Sequence, residues 1–171
     1  MADKFIYLDR TQGRLKEKSA IDVSNGASDA GKLIALGEDG RIHRSMIYED
    51  VGVSNISLPA YEALIAGDFV NIFLDSGVPK VRKADASANK PAHGYVLSSV
   101  ASGSTAIVYF DHQNTKLTGL TVGAYYFLSN TTAGTVMTAC PTTTGHIMQI
   151  VGVAISPTTI DVEIEQPIEV G

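Results

Sequence analysis

One cysteine, Cys140, is present in the whole chain. It excludes an intramolecular disulfide framework and a cysteine-rich zinc site, and its place before Pro141 among threonines marks it as a small core or loop residue. Charge is scarce, at 18% of residues against 44% hydrophobic, below the roughly 25% usual for soluble domains. A chain disordered throughout is excluded, because such chains combine low hydrophobicity with high net charge. A net charge of −5 argues against a nucleic-acid partner. No apolar run approaches the roughly 20 residues that span a bilayer, so no membrane partner is expected. Charges at Asp3, Lys4, Asp9 and Arg10 occupy the place where a signal peptide needs an apolar run, and synthesis in a reducing cytoplasm is expected. The 171 residues suffice for one core without a metal or disulfide staple.

Cations are nearly missing from the C-terminal part, and threonine from the N-terminal part. Residues 101–171 hold one lysine, Lys116, whereas residues 1–50 hold eight of the 13 Lys and Arg. Thr11 is the single threonine of the first hundred residues, and thirteen follow. The texture changes near Val51–Pro59. Two regions are therefore expected, residues 1–50 and residues 51–171.

Residues 51–171 read as short strands joined by turns. Asp68–Leu74 is a mostly apolar run between Gly67 and Asp75-Ser76-Gly77, the pattern of a strand buried on both faces. Val78–Lys83 returns as its hairpin partner, with Pro79 favouring a sheet edge. His93–Val100, Thr105–Phe110, Tyr125–Leu128, Gly134–Ala139, His146–Ala154 and Thr159–Glu165 complete about eight strands, an antiparallel β-barrel or sandwich. In the last, Ile160, Val162 and Ile164 alternate with Asp161, Glu163 and Glu165, giving one buried face and one wet acidic face. Tyr61–Ala66 reads as one short helix or as the lead-in to a strand.

Residues 1–50 lack an apolar stripe at helical spacing. Brief apolar patches, Phe5-Ile6-Tyr7-Leu8, Leu33-Ile34-Ala35-Leu36 and Met46-Ile47-Tyr48, alternate with the turn sequences Thr11-Gln12-Gly13, Ser24-Asn25-Gly26 and Gly37-Glu38-Asp39-Gly40. The last is a hairpin-turn candidate. Such patches are too small and separate for a core, so an extended binding arm with a short hairpin is expected.

Catalytic and ligand-binding patterns are absent. There is no Walker loop, HExxH or strand-borne GxGxxG, and Gly26–Gly31 has the wrong spacing for a nucleophile elbow at Ser28. His43, His93, His112 and His146 are scattered without ligand spacing. Asp161, Glu163 and Glu165 read either as calcium ligands or as an acidic edge that discourages strand aggregation. The cations Arg10, Arg14, Lys16 and Lys18 are diluted by Asp9, Glu17 and Asp22, which suits a solvated segment or a dock on an acidic protein surface. No cofactor, metal site or enzymatic activity is expected.

Three stretches carry a resemblance. Met1–Asp9 is followed by Leu15-Lys16-Glu17-Lys18. Ser28-Asp29-Ala30-Gly31-Lys32-Leu33-Ile34-Ala35-Leu36 leads through Gly40-Arg41-Ile42 to Ser45-Met46-Ile47. Ala66–Val70, Val81–Ala86, Ala92–Val96 and Gly119–Gly123 then follow in order. Together they resemble the head decoration, or cement, proteins of tailed bacteriophages, with Tyr48 standing where a proline is usual. The resemblance implies a virion structural protein on the outer surface of the capsid, a β-rich outer domain and no catalytic residues. It implies major capsid protein as partner and self-association as a homotrimer. The apolar patches supply the capsid-binding candidates: Phe5, Ile6, Tyr7, Leu8, Leu33, Ile34, Leu36, Ile42, Met46 and Ile47. The alternative is a fibre or tail-associated protein whose β domain binds a receptor or glycan, with Tyr95, Tyr109, Tyr125 and Tyr126 lining a shallow groove or, instead, packed in the core.

Overall fold

The computed structural model describes residues 4–47 and 54–171. Tyr48 and the start of the Val51–Pro59 boundary lie outside the described residues. The chain forms two compact units, Met1–Val51 and Gly52–Gly171.

In the first unit, β1 (Lys4–Asp9) and β2 (Arg14–Ser19) form an antiparallel hairpin. Asp9 shapes its turn: Oδ1 accepts the N–H groups of Thr11 and Gln12, and the Gly13 N–H donates to the Asp9 carbonyl, an Asx-type turn. Beyond the hairpin, Ile21 and Ile34 form a parallel bridge. The Ile21 N–H donates to Leu33 O at 2.9 Å, and the Ala35 N–H to Ile21 O at 2.7 Å. Short 3-10 turns occupy Gly26–Asp29 and Arg44–Met46. Gly37–Gly40 is a turn, closed by the Gly40 N–H to Gly37 O and by the Gly37 N–H to Arg41 O, but no strand ladder extends from it. The strand-like residues before it are bonded to Ile21, and Arg44–Met46 coils soon after it, so the unit's hairpin lies at residues 4–19. Among the described residues of this unit only Asp29 is buried, so no apolar core forms there.

The second unit is mainly β, built of antiparallel ladders in a sandwich-like arrangement. Its first sheet contains β3 (Asn55–Pro59), β4 (Phe69–Asp75), β5 (Val78–Lys83), β6 (Gly94–Tyr95) and β7 (Thr105–Tyr109), ordered β3-β7-β6-β4-β5. The second contains β8 (Gln113–Asn114), β9 (Tyr125–Leu128), β10 (Val136–Met137), β12 (Ile150–Ser156) and β13 (Thr159–Val162), ordered β10-β9-β12-β13-β8. β11 (Ile147–Met148) pairs with β14 (Ile168–Glu169). Of the two expected architectures, barrel or sandwich, the arrangement is sandwich-like and no barrel closes. The first sheet curls until Ala60, just past β3, bridges Val81 of β5, and it stops at that single bridge.

Successive residues of β4 explain the layering. Phe69 and Val70 are both fully buried, but they serve different cores. Phe69 joins Tyr95, Tyr126, Leu128, Val151 and Ile160, residues of both sheets. Val70 joins Leu58, Val81, Ala106 and Val108 inside the curl of the first sheet. Side chains alternate across a strand, so a strand between two cores reads as a continuous apolar run. β5 is an edge strand as Pro79 suggests, and Ser76-Gly77, with φ of 53° and 82°, turns β4 into it. That edge is shielded by Lys80 and Arg82, which lie over the rings of Tyr61 and Phe73.

Several expected strands are shorter than their apolar spans. His93–Val100 contributes only Gly94–Tyr95 to a ladder. Beyond it, Val96 bonds to Asp68, and Val100 bridges Leu64. Gly134–Ala139 contributes Val136–Met137. His146–Ala154 is split into β11 and β12 at Gln149. Tyr61–Ala66 forms no helix: Leu64 there exchanges backbone hydrogen bonds with Val100. Every buried side-chain nitrogen and oxygen among the described residues has a hydrogen-bond partner, so the β unit is complete by the usual test of polar satisfaction.

Candidate interaction surface

The described apolar residues of the first unit lie outside both core clusters. Ile6, Tyr7, Leu8, Leu33, Ile34, Leu36, Ile42 and Ile47 are 38–71% exposed; Phe5 and Met46 are half-buried. Leu15 and Val23, not singled out from the sequence, are equally exposed. Scattered exposed aliphatics are normal, but contiguous apolar surface marks a binding site.

Hairpin register sorts these side chains. Residues directly opposed in an antiparallel ladder share a face. Leu8 opposes Leu15, and Ile6 opposes Glu17, so Ile6, Leu8 and Leu15 form an apolar face beside the Lys4–Glu17 ion pair. Phe5 and Tyr7 lie on the other face, with ring centroids 6.3 Å apart, opposite Lys18 and Lys16. Leu33, Ile34 and Leu36 belong to the segment bridged to Ile21, and Lys18 Nζ donates to Gly31 O at 3.0 Å. That bond ties the hairpin to the Asp29–Leu36 segment. Ile42 and Ile47 flank the Arg44–Met46 turn, which is tied back through the Ser24 N–H to Ser45 Oγ bond at 2.8 Å.

Polar bonds, then, hold this unit while most of its described apolar side chains are exposed. Asp29 is the anchor. Its carboxylate accepts the Asn25 N–H at 2.6 Å and Lys32 Nζ at 2.5 Å. The Asn25 N–H first, and Lys32 next, hold the Asp29 carboxyl below its ordinary value. The Lys16 ammonium, 2.5 Å from Asp9, does the same for that turn carboxylate, helped by the Gln12 and Thr11 N–H groups. The Asp-Ala-Gly-Lys stretch of the resemblance is thus a carboxylate-centred turn that presents Leu33, Ile34 and Leu36.

Chemistry-bearing residues elsewhere are dispersed. Ser28 Oγ donates to Asn25 O within its turn. His93 Nδ1 accepts the Ile72 N–H at 3.0 Å, and partial burial lowers its imidazole below the ordinary histidine value. His112 pairs with Asp111, and His146 meets Asn130. Cys140 is exposed in a loop, its thiol against Met148 Sδ. Asp161, Glu163 and Glu165 face solvent, while Val162 and Ile164 pack on the first core. No group of three His, Cys, Asp or Glu among the described residues is placed to hold a metal ion. No helix among them is long and apolar enough to cross a membrane.

The four tyrosines of the groove alternative do not share one surface. Tyr95 and Tyr126 are buried. Tyr95 donates its hydroxyl to Asp111 O at 2.8 Å, and burial pushes its phenol up to about 12. Tyr109 stacks on Tyr95 at 5.7 Å, and Tyr125 alone is well exposed. Compared with known protein families and with curated proteins, the chain matches none.

Proposed function

We propose that this chain is a structural protein of a tailed-bacteriophage virion that decorates the outside of the head. In this reading it stabilises the capsid lattice by bridging neighbouring major capsid proteins, as a homotrimer on the particle, and it is made in the bacterial host cytoplasm. The observation that carries the reading is the outward display of Leu33, Ile34 and Leu36, with Ile6 and Leu8, by a unit with no apolar residue buried among those described. The β unit has its own complete cores and needs no help from that surface. A contact segment joined to a stable head suits a lattice protein, because linked weak contacts multiply into avidity. Among the described residues no group of three His, Cys, Asp or Glu stands ready for metal chemistry.

A thermal DNA-release assay on undecorated particles tests the proposal. Wild-type protein should raise the release temperature, because binding only the assembled lattice stabilises that lattice by mass action. Changing Leu33, Ile34 and Leu36 together to Asp should abolish protection. These side chains are already about half covered, so burying the rest is worth about half of the roughly 1.5–3 kcal/mol for full burial, and losing all three costs about 50- to 2000-fold in affinity before the cost of desolvating the new charges. Protection by the triple variant equal to wild type would refute the assignment of this surface. Copy number on the particle separates head from tail: a decoration protein approaches the number of capsid subunits, a tail protein does not.

A further inference from the structure

We infer that the cationic face of the β1–β2 hairpin docks on the outer face of the second sheet of another copy of this chain. On the hairpin, Arg14, Lys16 and Lys18 occupy alternate positions of β2, so they project from one face at about 6.7 Å intervals. Opposite them on β1 and on the same face stand Asp9, Tyr7 and Phe5. The face therefore has a cationic column beside an aromatic one; Phe5, Lys16 and Lys18 on it are half-buried, Asp9 compensates Lys16, and Lys18 Nζ donates to the Gly31 carbonyl, a neutral partner that leaves its charge uncompensated.

The second sheet offers the counterpart. Asp161, Glu163 and Glu165 alternate along β13 and its continuation, all exposed, with the same spacing of about 6.7 Å. Asp161 opposes Val153 of β12, and Val153 opposes Tyr125 of β9. An anionic column thus stands beside an aliphatic and aromatic row ending at Tyr125, which is 62% exposed. Lys116 is the one cation in residues 101–171, against five acids, so this column has little compensation of its own.

Stacking the two faces pairs three cations with three anions at a common period, with Phe5 and Tyr7 flanking the cations and Val153 and Tyr125 flanking Asp161. Both halves belong to one sequence, so every copy supplies a donor face and an acceptor face. Such a contact is heterologous, and it closes into a ring when its rotation divides a full turn. It gives the proposed trimer a contact surface, but it is read in solution without capsids, so it stands or falls separately from the head-decoration proposal.

Sedimentation velocity of the full chain tests it. In 0.1 M NaCl the protein should assemble with rising concentration. In 1 M NaCl, where the Debye length falls from about 10 Å to about 3 Å, the association constant should drop by about tenfold or more. Two triple variants reverse one column each: Arg14→Glu with Lys16→Glu and Lys18→Glu, and Asp161→Lys with Glu163→Lys and Glu165→Lys. Each alone should be monomeric, and an equimolar mixture should assemble again, since the reversed hairpin now matches the reversed strand. If circular dichroism shows the reversed hairpin chain unfolded, Arg14→Gln, Lys16→Gln and Lys18→Gln replace those changes and should still weaken assembly. A wild-type chain monomeric throughout, folded variants that assemble like wild type, or a folded mixture that stays monomeric would each overturn the inference.

Discussion

Gln149 is a point where a single change should weaken the β unit severely. It interrupts the run between β11 and β12 and is almost completely buried. Its Oε1 accepts the Ala92 N–H at 2.7 Å, and its Nε2 donates to Ala92 O at 3.0 Å and to Glu165 O at 2.9 Å. One amide thus joins the approach to β6 in the first sheet to the segment after β13 in the second. Gln149→Ala strands both backbone groups of Ala92, which is itself buried, and each unsatisfied buried group costs about 1–3 kcal/mol. With the space left by the missing side chain, we expect a loss of about 3–5 kcal/mol. That is a large share of the roughly 5–15 kcal/mol that holds a domain folded. Urea titration with linear extrapolation measures it. Gln149→Met separates the causes, because it restores the volume but not the bonds; it should recover little. A loss under about 1 kcal/mol for the alanine variant, or full recovery with methionine, would refute the claim that unpaired polar groups dominate.

Two further perturbations test the fold. Gly152 has φ of 145°, and an added Cβ would stand 2.1 Å from Asp161 O and 2.7 Å from Ile160 Cγ2. Gly152→Ala must therefore push β12 from β13 and should cost about 3 kcal/mol or more; an unchanged melting temperature would contradict this. Asp9 and Asp29 have carboxyl groups held below their ordinary values. Their contribution is present above the unfolded-state value near 3.8 and is lost as pH falls through the lower folded values. Protection of the amides in residues 25–35, taken against the intrinsic exchange rate at each pH, should fall selectively below about pH 4, and Asp29→Asn should lower it already at neutral pH.

What could be read from the sequence depended on how each strand is buried. β4 was legible because its neighbours on both faces are cores, which leaves a continuous apolar run. β13 was legible because Ile160 is buried while Asp161 is wet. Val78–Lys83 and Tyr125–Leu128 match β5 and β9 residue for residue. β3 was missed: Asn, Ser and Pro stand among its five residues, and only Leu58 is buried. β6 was overestimated because the apolar residues after Tyr95 are buried by single backbone bonds and a bridge rather than by a ladder. The first hairpin was invisible because β2 holds one apolar residue, Leu15, and its pairing rests on backbone bonds and on the Lys4–Glu17 and Lys16–Asp9 ion pairs. Those pairs are recognisable only once the register is known. The candidate surface was legible as apolar patches, but Leu15 joins Leu8 only across the ladder, and no linear pattern announces it.

The first unit also explains how a segment without an apolar core can still present a defined surface. A two-stranded hairpin is marginal in water, and this one gains nothing from burial of Ile6, Leu8 or Leu15. What it has is a set of backbone and charge-assisted bonds: Asp9 capping its turn, Lys18 reaching Gly31, and Asp29 gathering Asn25 and Lys32. Bonds to charged groups are the stronger kind, and they fix backbone without consuming apolar area. Under the proposed function, the exposed aliphatic surface is left for a partner, and part of the ordering cost of binding would be met in advance. Replacing those outward aliphatics by polar residues should therefore leave the unit's own bonds intact, whereas removing Asp29 should loosen the display of Leu33, Ile34 and Leu36 although it touches none of their exposed faces.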